Sequence, residues 1–298
     1  MRAIAAGMGL GMLLAGASAW TQDNPQTQSV SSTQPVAAVT SPDFTAVYCS
    51  NFVTSDHGDD SRLISGEQSN SKLFFGTRDF VFINKGSNQG VRVGDRYAVY
   101  RPDADPTAVQ WFKWQNKLAK AMGTFYKDAG QLQVVNVQPN VSTAQVTFTC
   151  EFLQRGDLIR PLQERPSPPF KTEINFDRFA PVSGKSVGML VFGKDFSQTY
   201  GKFSTVYVNL GTNQGVAVGD YMRIFRYQGS HAETAKYYED YQYSMYGYGS
   251  TPVHYQWNDL PREILGEGIV LNVGPNSSTI LVTLSRVDMF AGDYVEVE

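Results

Sequence analysis

The chain has 298 residues, of which 42% are hydrophobic and 18% charged, and its formal net charge is -3. At about 150 residues per domain, this length predicts two globular domains, each with a modest core. The slightly acidic balance provides no basic surface for nucleic acid or anionic lipid, so it disfavours nucleic-acid binding.

The N-terminus has the pattern of a secretory signal peptide. Arg2 precedes a short apolar stretch, and Ala17-Ser18-Ala19 offers the small residues that precede a signal-peptidase cleavage site. We therefore expect a signal peptide over residues 1–19, with an uncleaved anchor as the alternative, and a mature chain without a transmembrane segment. Residues 20–42 are rich in Gln, Ser, Thr and Pro, which predicts a disordered leader. The expected location is the periplasm or the outer membrane and cell envelope.

Two long stretches of the mature chain are nearly the same. VFINKGSNQGVRVGD, beginning at Val81, recurs as VYVNLGTNQGVAVGD, beginning at Val206, and two later blocks recur in the same order. The later blocks pair Val134–Phe148 with Val270–Leu284, and Arg155–Pro161 with Ala291–Val297. This pattern indicates an internal duplication. Together with a Pro-rich linker over 164–171, it predicts repeat 1 over 43–163 and repeat 2 over 172–298.

Each repeat has the pattern of an antiparallel β domain. Runs of β-branched and aromatic residues, such as DFVFIN and TVYVNL, end at Asn-x-Gly turns, and later runs alternate at period two. Patterns with the helical period are nearly absent. The predicted fold class is all-β, with two tandem small antiparallel β-barrel domains related by internal duplication.

The glycine-rich turns are predicted to be structural. A phosphate-binding loop needs a helix after its glycines, and here an apolar strand pattern follows in both copies. We expect the glycines to take positive φ and the aspartates to accept backbone N–H bonds within the turn. The residues concerned are Gly86, Gly90 and Asp95 in the first copy, and Gly211, Gly215 and Asp220 in the second.

At this motif the chain resembles a known family. The pattern N-x-G-x-x-x-G-V-x-x-G-D between apolar strands, followed by V-x-P-x-x-S/T-T, is similar to the C-terminal domain of the bacterial flagellar assembly protein T and to related modules of exported envelope proteins. The resemblance implies a small β-barrel used in envelope assemblies, with no catalytic residues to transfer. The chain departs from that family by carrying two copies and by lacking its N-terminal domains.

Aromatic inserts lengthen the same connection in both repeats, after Arg101 and after Arg226. Long loops on a rigid β scaffold commonly carry recognition, and Tyr and Trp suit protein interfaces. We expect these residues to bind an envelope protein partner; stacking on a cell-wall polymer and packing over the barrel's own open end are the alternatives. The candidates are Trp111, Phe112, Trp114, Tyr237, Tyr238, Tyr241, Tyr243, Tyr246, Tyr248, Tyr255 and Trp257.

Two cysteines, Cys49 and Cys150, lie near the two ends of repeat 1. In an exported protein they are expected either to form a disulfide or to remain as two buried thiols. The cluster of Asp56, His57, Asp59 and Asp60 lacks the ligand spacing of a calcium loop, and His231 and His254 have no partner motif.

The sequence therefore predicts an exported, non-catalytic envelope scaffold or adaptor without a cofactor, whose oligomeric state stays open. A glycan-binding module is the first alternative. A hydrolase of unknown type that uses the His57 cluster is the second.

Overall fold

β-Strands are the main regular structure of the chain that the structure describes, as the β-branched and aromatic runs predict. The computed structural model describes residues 40–56, 58–68, 70–103, 110–172, 176–194, 196–228 and 261–298. These ranges contain two α-helices, α1 (Phe44–Tyr48) and α2 (Gln115–Met122). Neither of them, nor any other helix of the described ranges, has the length and apolar character needed to cross a membrane. The all-β expectation is confirmed.

The strands are numbered here in chain order. Those of the N-terminal half are β1 (Phe52–Thr54), β2 (Leu63–Gly66), β3 (Phe74–Phe75), β4 (Phe80–Ile83), β5 (Arg96–Pro102), β6 (Thr124–Val137), β7 (Ser142–Thr149), β8 (Leu153–Gln154) and β9 (Leu158–Pro161). Those of the C-terminal half are β10 (Val187–Gly193), β11 (Thr199–Tyr200), β12 (Thr205–Val208), β13 (Tyr221–Arg226), β14 (Glu263–Val273), β15 (Ser278–Ser285), β16 (Met289–Phe290) and β17 (Tyr294–Val297).

Six strands of the C-terminal half form a closed antiparallel barrel. Their order is β10-β12-β15-β14-β13-β17, and β10 returns to β17 through pairs such as Gly188 with Val295. Because side chains alternate between the two faces of a strand, residues such as Val206, Ile224 and Val282 meet inside and form one core.

The strands of the N-terminal half follow the same order, β2-β4-β7-β6-β5-β9, with β1 added beside β6. The irregularities correspond as well, since the β2–β4 register shifts at Ile64 and the β10–β12 register shifts at Val191. The edge strands β2 and β9 are joined by a bridge between Arg62 and Leu158 and by a 2.8 Å hydrogen bond from the Leu63 amide to the Asp157 carbonyl. This first sheet is therefore curled until its two edges meet.

The glycine-rich turns have the same geometry in both halves. Ser87–Gln89 and Thr212–Gln214 each form one turn of 3-10 helix. The glycine that follows takes a positive φ, 81° at Gly90 and 80° at Gly215, as predicted. Only glycine adopts this conformation without strain.

The expected positive φ at Gly86 and Gly211 is wrong. Their φ values are -138° and -143°, in the extended region. Glycine is required there because the chain passes very close to a neighbouring hairpin. A Cβ would lie 2.1 Å from the carbonyl oxygen of Gln138 at Gly86, and 2.3 Å from that of Gly274 at Gly211.

The polar groups of these turns are bonded within the protein. Asp95 accepts from the Arg92 amide at 2.9 Å, and Asp220 accepts from the Ala217 amide at 2.8 Å, as predicted. The amides of residues 87–91 donate to carbonyl oxygens of the turn itself or of residues 138 and 139. These N–H groups are therefore already used, so they do not form a cradle for phosphate.

Segment 49–54 lies between the first sheet and the barrel. On one side Asn51 exchanges two hydrogen bonds with Asp128 of β6, at 2.9 and 3.1 Å. On the other side the Ser277 hydroxyl, in the β14–β15 turn of the barrel, donates to the Val53 carbonyl at 2.9 Å. The segment thus links the two halves through buried polar groups, and the hydrogen bonds above satisfy these groups.

A buried carboxylate ties the chain between the halves to the barrel. Glu296 of β17 accepts from Arg262 at 2.7 Å and from Arg223 at 2.9 Å, and Arg262 also donates to the Ala180 carbonyl at 3.0 Å. Burial raises the pKa of Glu296, but the hydrogen bonds from Arg262, the Ser183 amide and Arg223 outweigh burial. The net pKa therefore lies below its ordinary value.

The disulfide between Cys49 and Cys150 is present, with Cα atoms 5.5 Å apart and a sequence separation of 101. Replacing both cysteines with alanine should lower the free energy of unfolding by about 4–5 kcal/mol, because the bridge restricts a long loop in the unfolded chain. Chemical denaturation of the oxidised wild type, the reduced wild type and the double variant measures this. We expect the last two to unfold at similar denaturant concentrations, below that of the oxidised protein. Coincident curves for all three would contradict the prediction.

Glu296→Gln should destabilise the protein at neutral pH by about 1–3 kcal/mol, because it weakens the hydrogen bonds from the buried Arg262 and the half-buried Arg223. A carboxylate with a lowered folded pKa contributes stability above its unfolded pKa of about 4.5 and loses it as the pH falls through the folded value. The difference in free energy of unfolding between wild type and variant should therefore become smaller below pH 4.5. Denaturation at several pH values tests this, with Glu164→Gln, an exposed carboxylate 3.9 Å from Arg96, as the matched control. A gap that does not change with pH would exclude ionisation as the cause.

Candidate docking site

The aromatic insert that follows β5 leaves the first sheet and packs on the closed barrel. It is described from Gln110 onward. Phe112 is completely buried and belongs to the core of the barrel, together with Tyr200 and Met289. Its ring lies against Gly292, whose φ is 103° and where a Cβ would come within 3.0 Å of the Phe112 Cγ atom. Glycine is thus required at 292 both by the backbone and by the ring beside it.

Helix α2 continues this contact along the outside of the barrel. Ala119 and Met122 pack with Val191 of β10 in a second apolar cluster. The completely buried Gln115 donates from Nε2 to the Val191 carbonyl at 2.8 Å and accepts from the Trp111 amide at 2.6 Å. Because the Gln115 side chain is removed from water, its hydrogen bonds fix the helix in one position on the strand.

The opposite side of the insert is open to solvent. Trp114, the residue before α2, is 61% exposed and has a φ of 76°. The Lys113 and Lys117 ammonium groups lie 5.3 and 6.0 Å from the centre of its ring. The result is an exposed aromatic surface flanked by two cations, held in a backbone conformation that bulky residues rarely adopt.

The predicted partner-binding residues of this insert therefore separate into different environments. Phe112 packs between the two halves, so it is no longer a candidate for contact with a partner. Trp111 is half-buried, and Trp114 stays accessible. The candidates of the other insert lie outside the described residues, namely Tyr237, Tyr238, Tyr241, Tyr243, Tyr246, Tyr248, Tyr255 and Trp257.

The acidic cluster after β1 is held by ordinary surface interactions. Asp59 pairs with Lys85 at 2.7 Å, and this hydrogen bond, helped by Ser61, lowers the pKa of Asp59 to about 2. Asp60 pairs with Arg62 at 2.9 Å. His57 lies outside the described residues, as do His231 and His254. Among the residues that are described, no group of three or more His, Cys, Asp or Glu is placed to hold a metal ion.

Several residues of the contact between the halves were not predicted. Besides Gln115 and Gly292, Phe125 at the start of β6 lies 5.3 Å from the Tyr207 ring and 5.8 Å from the Phe192 ring. These residues are far apart in the sequence, so no local period connects them. The available signal was the difference between the two halves at matching strand positions, such as Tyr207 where the first half has Phe82.

No protein-family model matches the chain, and no curated protein is significantly similar to it.

Phe112→Ala and Trp114→Ala separate the two sides of the insert. Loss of the buried Phe112 ring should lower the free energy of unfolding by about 3–5 kcal/mol, because it leaves a cavity in the barrel core. Loss of the exposed Trp114 ring should change it by no more than about 0.5 kcal/mol. Denaturant unfolding followed by circular dichroism provides the comparison. Equal effects of the two substitutions would contradict this assignment of the two faces.

Proposed function

We propose that the chain is an exported, non-catalytic scaffold or adaptor of the bacterial cell envelope that binds protein partners through its aromatic inserts. The disulfide supports an oxidising compartment, because such bonds are rare in proteins that remain in the cytosol. The signal pattern before Trp20 supports the same location.

We further propose that the protein consists of two β-barrel repeats that arose by duplication. The support is the common strand order of the first sheet and the closed barrel, together with the matching register shifts at Ile64 and Val191. The matching turns at Gly90 and Gly215 add to it. The relationship to the flagellar assembly protein T family remains a prediction from the shared turn motif.

The observation that carries the proposed function is the behaviour of the described insert. It docks on a β-barrel by placing one aromatic ring in the core and one amphipathic helix on the wall. An insert of this composition is thus capable of specific protein contact. Trp114 on its free side offers a second surface, large and rigid enough to anchor a partner.

A cell-wall polymer is the alternative partner, since exposed Trp and Tyr rings also stack on sugars. Sedimentation with purified peptidoglycan distinguishes the two. A protein adaptor stays in the supernatant, whereas a glycan-binding module sediments with the polymer. Loss of sedimentation in Trp114→Ala would then assign the polymer to this surface.

The experiment that tests the proposal combines Trp114→Ala with Tyr241→Ala, Tyr243→Ala and Tyr246→Ala. In cells treated with a cross-linker, the wild type should give discrete adducts with envelope proteins, and the combined variant should lose most of them while keeping its melting temperature. Phe179→Ala, which removes another exposed ring, is the control and should keep the adducts. Unchanged adducts in the combined variant would contradict the proposal that the inserts bind the partners.

A further inference from the structure

The contact between the insert and the barrel uses a surface that also exists on the first sheet. Strand register defines the matching positions, since Leu63 pairs with Ile83 as Leu190 pairs with Val208. Ile64 therefore matches Val191, the strand residue that α2 covers. By the repeated Gly-Asp motif before β9 and β17, Gly156 matches Gly292, the residue under the Phe112 ring.

On the first sheet no described residue covers this surface. Ile64 is 40% exposed, whereas Val191 is completely buried. Gly156 has a φ of 90°, close to that of Gly292, yet a Cβ placed there would meet nothing within 4 Å. The backbone at Gly156 thus has the same geometry as at Gly292, but no ring from the described part of the chain packs against Gly156.

The uncovered surface also carries apolar side chains that its counterpart lacks. The Phe74 and Phe152 rings lie 4.3 Å apart, and each is about half exposed. The barrel has polar residues, Thr199 and Asp288, at these two positions. We call the group around Gly156 the open face: Ile64, Leu73, Phe74, Phe152, Arg155 and Gly156. Exposed apolar clusters of this kind commonly mark interaction sites.

The contact within the chain is not reciprocal. Phe125 of the first sheet packs against Tyr207 of the barrel, but the residue that matches Phe125 is Pro261, which is exposed. A contact of this heterologous kind joins two different surfaces, and when repeated between copies it produces rings or filaments. The two surfaces that meet here are the insert after β5 and the outside of the barrel beside Gly292.

We propose that the open face of one copy binds the aromatic segment 229–260 of a second copy, head to tail. The proposal rests on the proposed function and names the partner of the second insert. Segment 229–260 follows β13 as the described insert follows β5, and it contains seven tyrosines and Trp257. It also carries four carboxylates against one lysine, so its net charge is opposite to that of Arg155 on the open face.

Two complementary variants test this arrangement. The face variant carries Phe74→Asp and Phe152→Asp, and the segment variant carries Tyr241→Ala, Tyr243→Ala and Tyr246→Ala. In sedimentation velocity the sedimentation coefficient of the wild type should increase with protein concentration, because copies associate. Each variant alone should show no such increase. A mixture of the two should form a 1:1 dimer that grows no further, because one intact face and one intact segment remain available to each other.

Phe179→Asp, at a ring that is 67% exposed, is the matched control and should associate as the wild type does. Thermal unfolding of every variant verifies that the fold is intact. Association of the wild type without a heterodimer in the mixture would overturn the head-to-tail pairing.

A wild type that is monomeric at every concentration would overturn the inference, while its envelope adducts would still support the proposed function. Hydrogen exchange tests docking within one chain as well. If the amides of residues 153–157 are protected in the monomer, and lose protection in the segment variant, the segment covers its own chain and the inference is wrong.

Discussion

Burial of the Phe112 ring against Gly292 makes the two halves of the described chain depend on each other. A side chain from the first half completes the core of the closed barrel, and α2 beside it covers the apolar outer residues of β10. Without this insert, Val191 would lose the Ala119 and Met122 side chains that pack on it. The halves are therefore not two independent domains joined by a linker, although their strand order is the same.

Polar contacts of segment 49–54 and of Arg165 converge on one residue of β6. Asp128 of β6 binds Asn51 and also forms two hydrogen bonds with Arg165, at 2.9 and 2.8 Å. Asp128 is thus the common anchor of segment 49–54 and of the chain that leaves the first sheet. The Cys49–Cys150 bond holds the start of that same segment beside the end of β7.

Local chemistry allowed much of the fold to be predicted from the sequence. Strands such as β4 and β12, and turns such as those at Gly90 and Gly215, are determined by residues within about ten positions of each other, so their patterns are visible in one chain. Gly86 shows where this reasoning fails. Its need for glycine comes from the Gln138 carbonyl, 52 positions away, so a local turn rule assigned the wrong φ. The expectation for Phe112 has the same limit. An aromatic side chain suits both an interface and a core, and the distant Gly292 decides between the two.

The contact between the halves also explains how their matching strands differ. Residues that point into the interior of each half stay apolar, as Val81 and Val206 show, because both interiors must be filled. Outward positions differ. The barrel has Phe192 and Tyr207 where it receives the first half, and the matching residues on the first sheet are Ser65 and Phe82, both half-buried. The contact inside the described chain is thus specified by outward residues that the barrel has and the matching strands of the first sheet lack.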